Sequence, residues 1–207
     1  MLRTFFKDLL NIPNAVSLFR IVITPLLIIL WIGFDWKIVT LVIGTLAGLT
    51  DQLDGYLARK LNQTTELGGL IDQLGDLVFE STCLLIGILA GEMWSGLLVI
   101  YLFREFTVSV VRAYVVGHGG TLPSSGLGKT KSSLIQWAFF PFFLGAILLD
   151  PGVLPEAWSM VGVPPGKWLY WLAEASIYTG LLLGYLSAGT YLRAFVAFYV
   201  ERKKIKG

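Results

Sequence analysis

Cysteine is almost missing from this 207-residue chain, with Cys83 standing alone. One thiol cannot close an internal disulfide, so a disulfide scaffold is excluded and the redox compartment stays open. Charge is scarce too: Asp, Glu, Lys and Arg make up 14% of the residues, where soluble domains carry about 25%. The formal net charge of +2 is too small to argue for a nucleic-acid partner. No internal repeat and no low-complexity segment interrupts the chain. What fills it instead is apolar side chain, at 55%, with a mean hydropathy of +0.71. A soluble body of 22.9 kDa cannot hide that much, so the outer surface must itself be apolar and solvated by lipid. The composition describes an integral membrane protein and excludes a soluble enzyme and a disordered tail.

Arg3, Lys7 and Asp8 interrupt any apolar run at the start, and no small-residue cleavage site follows, so a secretory signal is not expected. Leu2, Phe5, Phe6, Leu9 and Leu10 recur at helical spacing, with Arg3, Thr4, Lys7, Asp8 and Asn11 on the other face. This predicts an amphipathic helix over 1–13, lying in the membrane interface and ending at Pro13. Six apolar stretches follow at 15–34, 38–58, 68–91, 95–116, 132–149 and 168–199, each near or beyond the roughly 20 residues that a spanning helix needs. The expected fold is therefore all-α: one membrane domain of six transmembrane helices, preceded by the interfacial helix and followed by a basic tail at 200–207. The last stretch is long and should tilt or emerge into water near Arg193.

Basic residues set the orientation. Arg3, Lys7, Arg59, Lys60, Lys129, Lys131, Arg202, Lys203, Lys204 and Lys206 fall on one side, against Lys37 and Lys167 on the other. Both termini and the 59–67 and 117–131 loops are thus expected to face the cytoplasm. Arg20, Arg104, Arg112 and Arg193 lie within spans and need another reason.

Ionisable residues inside a membrane mark function, because charge is costly there. Asp51 and Asp54 are three apart at the end of the second stretch; Asp72 and Asp76 are four apart at the start of the third. Each pair shares a helix face, and a short connection makes the two helices antiparallel neighbours. Four carboxylates at one depth repel one another. Arg20 and Arg59 are available partners for two of them, and one or two hard divalent cations, Mg²⁺ or Mn²⁺, are the most economical partner for the cluster. An ion transporter would instead place acids near the midplane between related halves, and no such halves are visible.

The run reads Asp51-x2-Asp54-Gly55-x2-Ala58-Arg59-x8-Gly68-x3-Asp72-x3-Asp76. At all eight defined positions it resembles the signature of the CDP-alcohol phosphotransferase family. Gly55 and Ala58 remove bulk beside the carboxylates, and Gly68 lets the third span pack closely against the second. The resemblance implies a homodimer, a two-metal site held by Asp51, Asp54 and Asp72, and a CDP-linked lipid whose nucleotide lies at Gly55, Ala58 and Arg59, with Gly68, Asn14 and Arg20 beside it. Asp76 is implied to accept the proton of the attacking alcohol while also touching a metal. CMP would leave. The expected setting is a bacterial inner membrane with the site facing the cytoplasm.

Asn11-Ile-Pro-Asn14-x2-Ser17-x2-Arg20 resembles the branch of that family that makes phosphatidylglycerol phosphate, as do Arg104-Glu105-x3-Ser109-x2-Arg112, then Leu127-Gly128-Lys129-x-Lys131 and Gln136. Arg104 and Arg112 share a helix face, and Lys129 and Lys131 follow on the cytoplasmic side. Such a basic pocket suits a phosphorylated acceptor such as glycerol 3-phosphate, gripped by guanidinium forks. The alternatives for these arginines are that Arg112 snorkels to headgroups and that Arg104 pairs with Glu105. The chain departs from the branch at Gln73, Gly75 and Leu77, where Pro, Ala and Lys are usual, and it adds Glu80 one turn on. The same chemistry with inositol phosphate, serine or another alcohol would share most of the site.

The stretch 125–130 only imitates a phosphate-binding loop, since Pro123 stands where the first Gly should be. His118 is expected to be solvated and Cys83 to be lipid-facing or core filler. Trp158, Trp168 and Trp171 should anchor at headgroup level.

Overall fold

A computed structural model describes residues 11–61, 65–122, 126–150, 153 and 162–206, with backbone alone at 12, 13, 52–59, 66, 205 and 206. Among them the chain is all-helical, with no strand. Helix α1 spans Ile12–Ile23 and continues through a short helical piece, Leu26–Ile28, and a π-turn, Ile29–Gly33. Then come α2 (Lys37–Lys60), α3 (Glu66–Leu89), α4 (Gly96–Gly117), α5 (Gly126–Leu148) and α6 (Pro165–Lys206).

Local chemistry sets the boundaries. Asn11 caps α1 by accepting the Asn14 N–H at 2.9 Å, with Pro13 in the first turn, where a missing donor costs nothing. Pro25 cannot continue the ladder, and the Thr24 hydroxyl donates to the Arg20 carbonyl at 2.7 Å beside the break. Thr65 caps α3 through the Gly68 N–H at 2.9 Å. Of the interfacial helix expected over 1–13, residues 1–10 lie outside the described residues, as does Trp158.

Asn14–Gly33, Gly126–Leu149 and Pro165–Lys204 are each long and apolar enough to cross a membrane. The intervening helices α2, α3 and α4 carry the ionisable residues that dilute their hydropathy. Their outward faces are nonetheless apolar: Leu70, Val99 and Val110 are 66–68% exposed. Only lipid makes such a surface favourable. Helix α6 has 42 residues and runs about 63 Å at 1.5 Å per residue, roughly twice a bilayer core. Its basic end at Arg202–Lys204 continues the same helix beyond the apolar stretch at 168–199.

The core is a column of Phe79, Phe139, Phe142 and Phe143 with Trp31, Leu27 and Ile86 around it. Phe139 and Phe143 lie with ring centroids 4.2 Å apart, and Cys83 is buried among them as filler. Helices α5 and α6 form the tightest seam. A Cβ on Gly145 would lie 2.8 Å from the Gly166 carbonyl oxygen, and one on Gly166 2.5 Å from that of Gly145. In lipid, where burial between helices gains little, backbone approach of this kind drives association.

Two expectations need correcting. The fifth helix begins at Gly126, six residues before its apolar stretch, so Lys129 and Lys131 belong to its first turns and not to a loop. Those turns face a polar cavity rather than lipid, so hydropathy does not report them. Pro13 does not end a helix but stands in the first turn of α1, because Asn11 caps that helix and a proline there forfeits no hydrogen bond; Gly68 packs against the same helix, where a Cβ on it would lie 2.6 Å from Asn14 Oδ1.

Candidate active site

Helices α1, α2 and α3 meet through one arginine. Arg20, 1% exposed, donates through Nη1 to Asp51 Oδ1 and through Nη2 to Asp76 Oδ1 at 3.3 Å. The same Nη2 stands 3.7 Å from Asp72 Oδ1. Gly75 is what admits the guanidinium: a Cβ at that position would lie 2.6 Å from Nη2. Gln136 of α5 donates to Asp51 Oδ2 and to the Gly48 carbonyl, both at 3.2 Å. Asp51 is thus fixed from two sides.

Asp51, Asp72 and Asp76 each offer a carboxylate oxygen, all within 4.8 Å of one another. Three carboxylates so close together repel one another, and Asp72 is half exposed, with 52% of its side chain open. Three hard oxygen donors at this spacing fit a hard divalent cation. The side chains of Asp54, Gly55, Ala58 and Arg59 lie outside the described residues; their backbone continues α2 for more than two turns beyond Asp51, to Lys60.

The aspartates border a polar cavity of about 410 Å³. Its remaining walls come from α4, α5 and α6, including Arg104, Glu105, Arg112, Lys129, Lys131, Gln136 and Tyr191. Four of the cations expected from the sequence therefore line one space, but they are not equivalent. Lys131 is 2% exposed and donates to Glu80 Oε2 at 2.7 Å, with Glu105 Oε1 at 2.8 Å. Arg104 pairs with the same Glu105 oxygen at 2.6 Å and donates through Nε to the Gly184 carbonyl at 3.1 Å. These four residues make a charge-balanced buried network, with Lys131 also 4.8 Å from the Tyr101 ring centroid.

Arg112 and Lys129 differ. Among the described residues neither has an ion-pair partner. Arg112 lies over the Tyr191 ring at 5.8 Å, and Lys129 is exposed at the rim. Of the four, these are the cations with charge left for a ligand. Asn14 stands apart from the cavity, against Gly68 and 3.5 Å from Thr65 Oγ1.

Sequence reasoning noticed Glu80 as an added acid but missed its partner. A carboxylate in mid-span needs a cation, and Lys131 is the one within one helix packing distance. It also missed the Tyr101 and Tyr191 side chains that line this space, and it noted Gln73 only as a departure from the branch. His118 is exposed at the end of α4, as expected, with its ring on Tyr114 at 4.2 Å. Trp168 and Trp171 are about half exposed and edge-to-face at 5.1 Å.

The profile of the CDP-alcohol phosphatidyltransferase family matches residues 10–186. Several curated proteins named CDP-diacylglycerol--glycerol-3-phosphate 3-phosphatidyltransferase are similar. The one from Wigglesworthia glossinidia brevipalpis is 35% identical over 137 residues, covering 63% of this chain and 75% of its own. That of Pseudomonas fluorescens is 31% identical over 177 residues, covering 77% and 91%. That of Bacillus subtilis (strain 168) is 30% identical over 136 residues, covering 59% and 70%.

Proposed function

The chain belongs to the CDP-alcohol phosphatidyltransferase family, and from that premise we propose that it transfers the phosphatidyl group of CDP-diacylglycerol to glycerol 3-phosphate, yielding phosphatidylglycerol phosphate and CMP. The observation that carries this reading is the pairing, in one cavity, of a carboxylate cluster with two cations that have no ion-pair partner among the described residues. The similar proteins bear the name of this activity.

Asp51, Asp54, Asp72 and Asp76 would hold Mg²⁺ or Mn²⁺, two ions in all. When bound, these ions supply charge neutralisation for the diphosphate and help to acidify the alcohol. The rest belongs to the chain. Arg112 and Lys129 bind the acceptor's phosphate and orient its hydroxyl. Arg104 and Lys131, already satisfied by Glu105 and Glu80, shape the wall and keep its potential from turning negative. Asp76 accepts the hydroxyl proton as the new O–P bond forms to the diacylglycerol-bearing phosphorus; the bond to the CMP oxygen breaks and CMP leaves with the electron pair. Asn14, Arg20, Gly55, Ala58, Arg59 and Gly68 serve the CDP-lipid side, with Arg20 holding Asp51 and Asp76 in register.

The same reading includes one domain of six spans after an interfacial helix, a homodimer, and a cytoplasm-facing site in a bacterial inner membrane. Ten basic residues against two support that orientation. The test is CMP release from CDP-diacylglycerol in detergent, with and without Mn²⁺, across glycerol 3-phosphate, inositol phosphate and serine. Glycerol 3-phosphate should be fastest. Faster release with inositol phosphate or serine would keep the family and overturn the acceptor.

A further inference from the structure

Arg112 borders two spaces of opposite character. One is the polar cavity; the other is a groove between α3 and α4, also about 410 Å³ and walled largely by Leu70, Leu74, Leu77 and Val116. An arginine at such a boundary is drawn by its long stem to lean toward whichever water or headgroup it can reach. Here two neighbours restrain it. Gln73 of α3 donates through Nε2 to Ser109 Oγ of α4 at 2.9 Å, which turns its Oε1 outward to accept from Arg112 Nη1 at 3.4 Å. Tyr191 of α6 lies under the guanidinium face at 5.8 Å. Ser109 precedes Arg112 by three residues, so both project from one face of α4.

We propose that Gln73 is a positioning residue that sets acceptor selectivity: held by Ser109, it keeps the Arg112 guanidinium turned into the cavity as a pre-set phosphate fork. This rests on the acceptor reading above. A neutral amide suits the task because it orients the cation and leaves its charge intact for the ligand, whereas a carboxylate at 73 would orient and cancel it. Holding the fork before the ligand arrives saves rotamer freedom that would otherwise be lost on binding.

The test is steady-state kinetics of CMP release on the full-length protein in detergent, varying each substrate in turn. Gln73→Leu should raise the KM for glycerol 3-phosphate about two- to tenfold, the equivalent of one net hydrogen bond, with kcat and the KM for CDP-diacylglycerol within about twofold. Gln73→Glu should raise the same KM further, and Ser109→Ala should move it in the same direction by less. Arg112→Ala should raise it roughly ten- to 150-fold, and adding Gln73→Leu to that variant should change nothing more. Equal effects of Gln73→Leu in both backgrounds, or no effect in either, would overturn the positioning role while Arg112 stands. An unchanged KM in Arg112→Ala would overturn the acceptor reading itself.

Discussion

Lys131 distinguishes a wall from a ligand. If it serves to balance Glu80 and Glu105, replacing it with Met strands a fully buried carboxylate. Glu80 is 2% exposed, and Lys131 Nζ is the only cation within ion-pair distance of it among the described residues. Removing one partner of a buried pair costs about 3–5 kcal/mol. For a chain of this length each kcal/mol moves the midpoint by about 2–4 °C, so Lys131→Met should lower the Tm in detergent by roughly 6–20 °C. The double variant Glu80→Leu/Lys131→Met removes both charges and leaves Glu105 with Arg104. Because an apolar pair of similar volume often equals a buried ion pair, the double variant should recover most of the loss. Thermal unfolding followed by intrinsic fluorescence reads both, and KM for glycerol 3-phosphate is measured on the recovered double variant. A Lys131→Met protein that melts normally but binds the acceptor weakly would refute the argument and make Lys131 a ligand.

Asp76→Asn should abolish CMP release while CDP-lipid binding, read by equilibrium titration, persists, whereas Asp51→Asn and Asp72→Asn should shift the Mn²⁺ titration to higher concentration, since an amide is a poorer ligand for a hard cation. Gly166→Ala should lower the Tm by several degrees, because its Cβ would stand 2.5 Å from a backbone oxygen across the α5–α6 seam and overpacking typically costs about 1–3 kcal/mol. At the opposite end of α2, burial lowers the pKa of Lys37, but the hydrogen bond and charge of Asp150, 2.5 Å away, with Asp35 nearby, outweigh it and leave the pKa raised. A raised lysine stabilises fully at neutral pH and loses that contribution as pH climbs past the ordinary lysine range. Asp150→Asn should therefore cost about 0.2–1 kcal/mol at pH 7 and much less above pH ~11, as read by Tm against pH.

The aspartate site was legible because charge inside an apolar helix is conspicuous, and spacings of three and four place it on one face. What sequence could not show was which cations are already taken. Arg104 and Glu105 are adjacent in the chain, so their pairing was foreseeable. Lys131 and Glu80 lie 51 positions apart, and no periodicity links them. Read as a sum of charge, Arg104, Arg112, Lys129 and Lys131 look like one pocket; read with their partners, two of them balance acids and two do not. The same blindness moved the start of α5. Lys129 and Lys131 look like a loop beside the apolar run that follows, and the polar cavity opposite them is what lets charged residues sit in a helix there.

Helix α3 then accounts for how the site can change its acceptor without changing its chemistry. Asp72, Gly75 and Asp76 turn toward α1 and α2, where Arg20 ties the carboxylates together. Gln73, Leu77 and Glu80 turn toward α4 and α5, where they meet Arg112, the boundary of the lipid-side groove and Lys131. Two of the three departures from the phosphatidylglycerol phosphate branch, Gln73 and Leu77, lie on the second face, and Glu80 lies there with them. The third, Gly75, sits on the first face, and its missing Cβ is what lets Arg20 reach Asp76. A lysine at 77 would add a charge directly between cavity and groove; leucine leaves that boundary apolar and makes the fixed position of Arg112 matter more. On the proposed function the carboxylates answer to geometry shared by every acceptor, while on the second face Gln73 and Leu77 border the acceptor's space and Glu80 balances Lys131. Substitution at Gln73 or Leu77 should therefore alter the KM for the alcohol before it alters kcat, as read by CMP release with each substrate varied in turn.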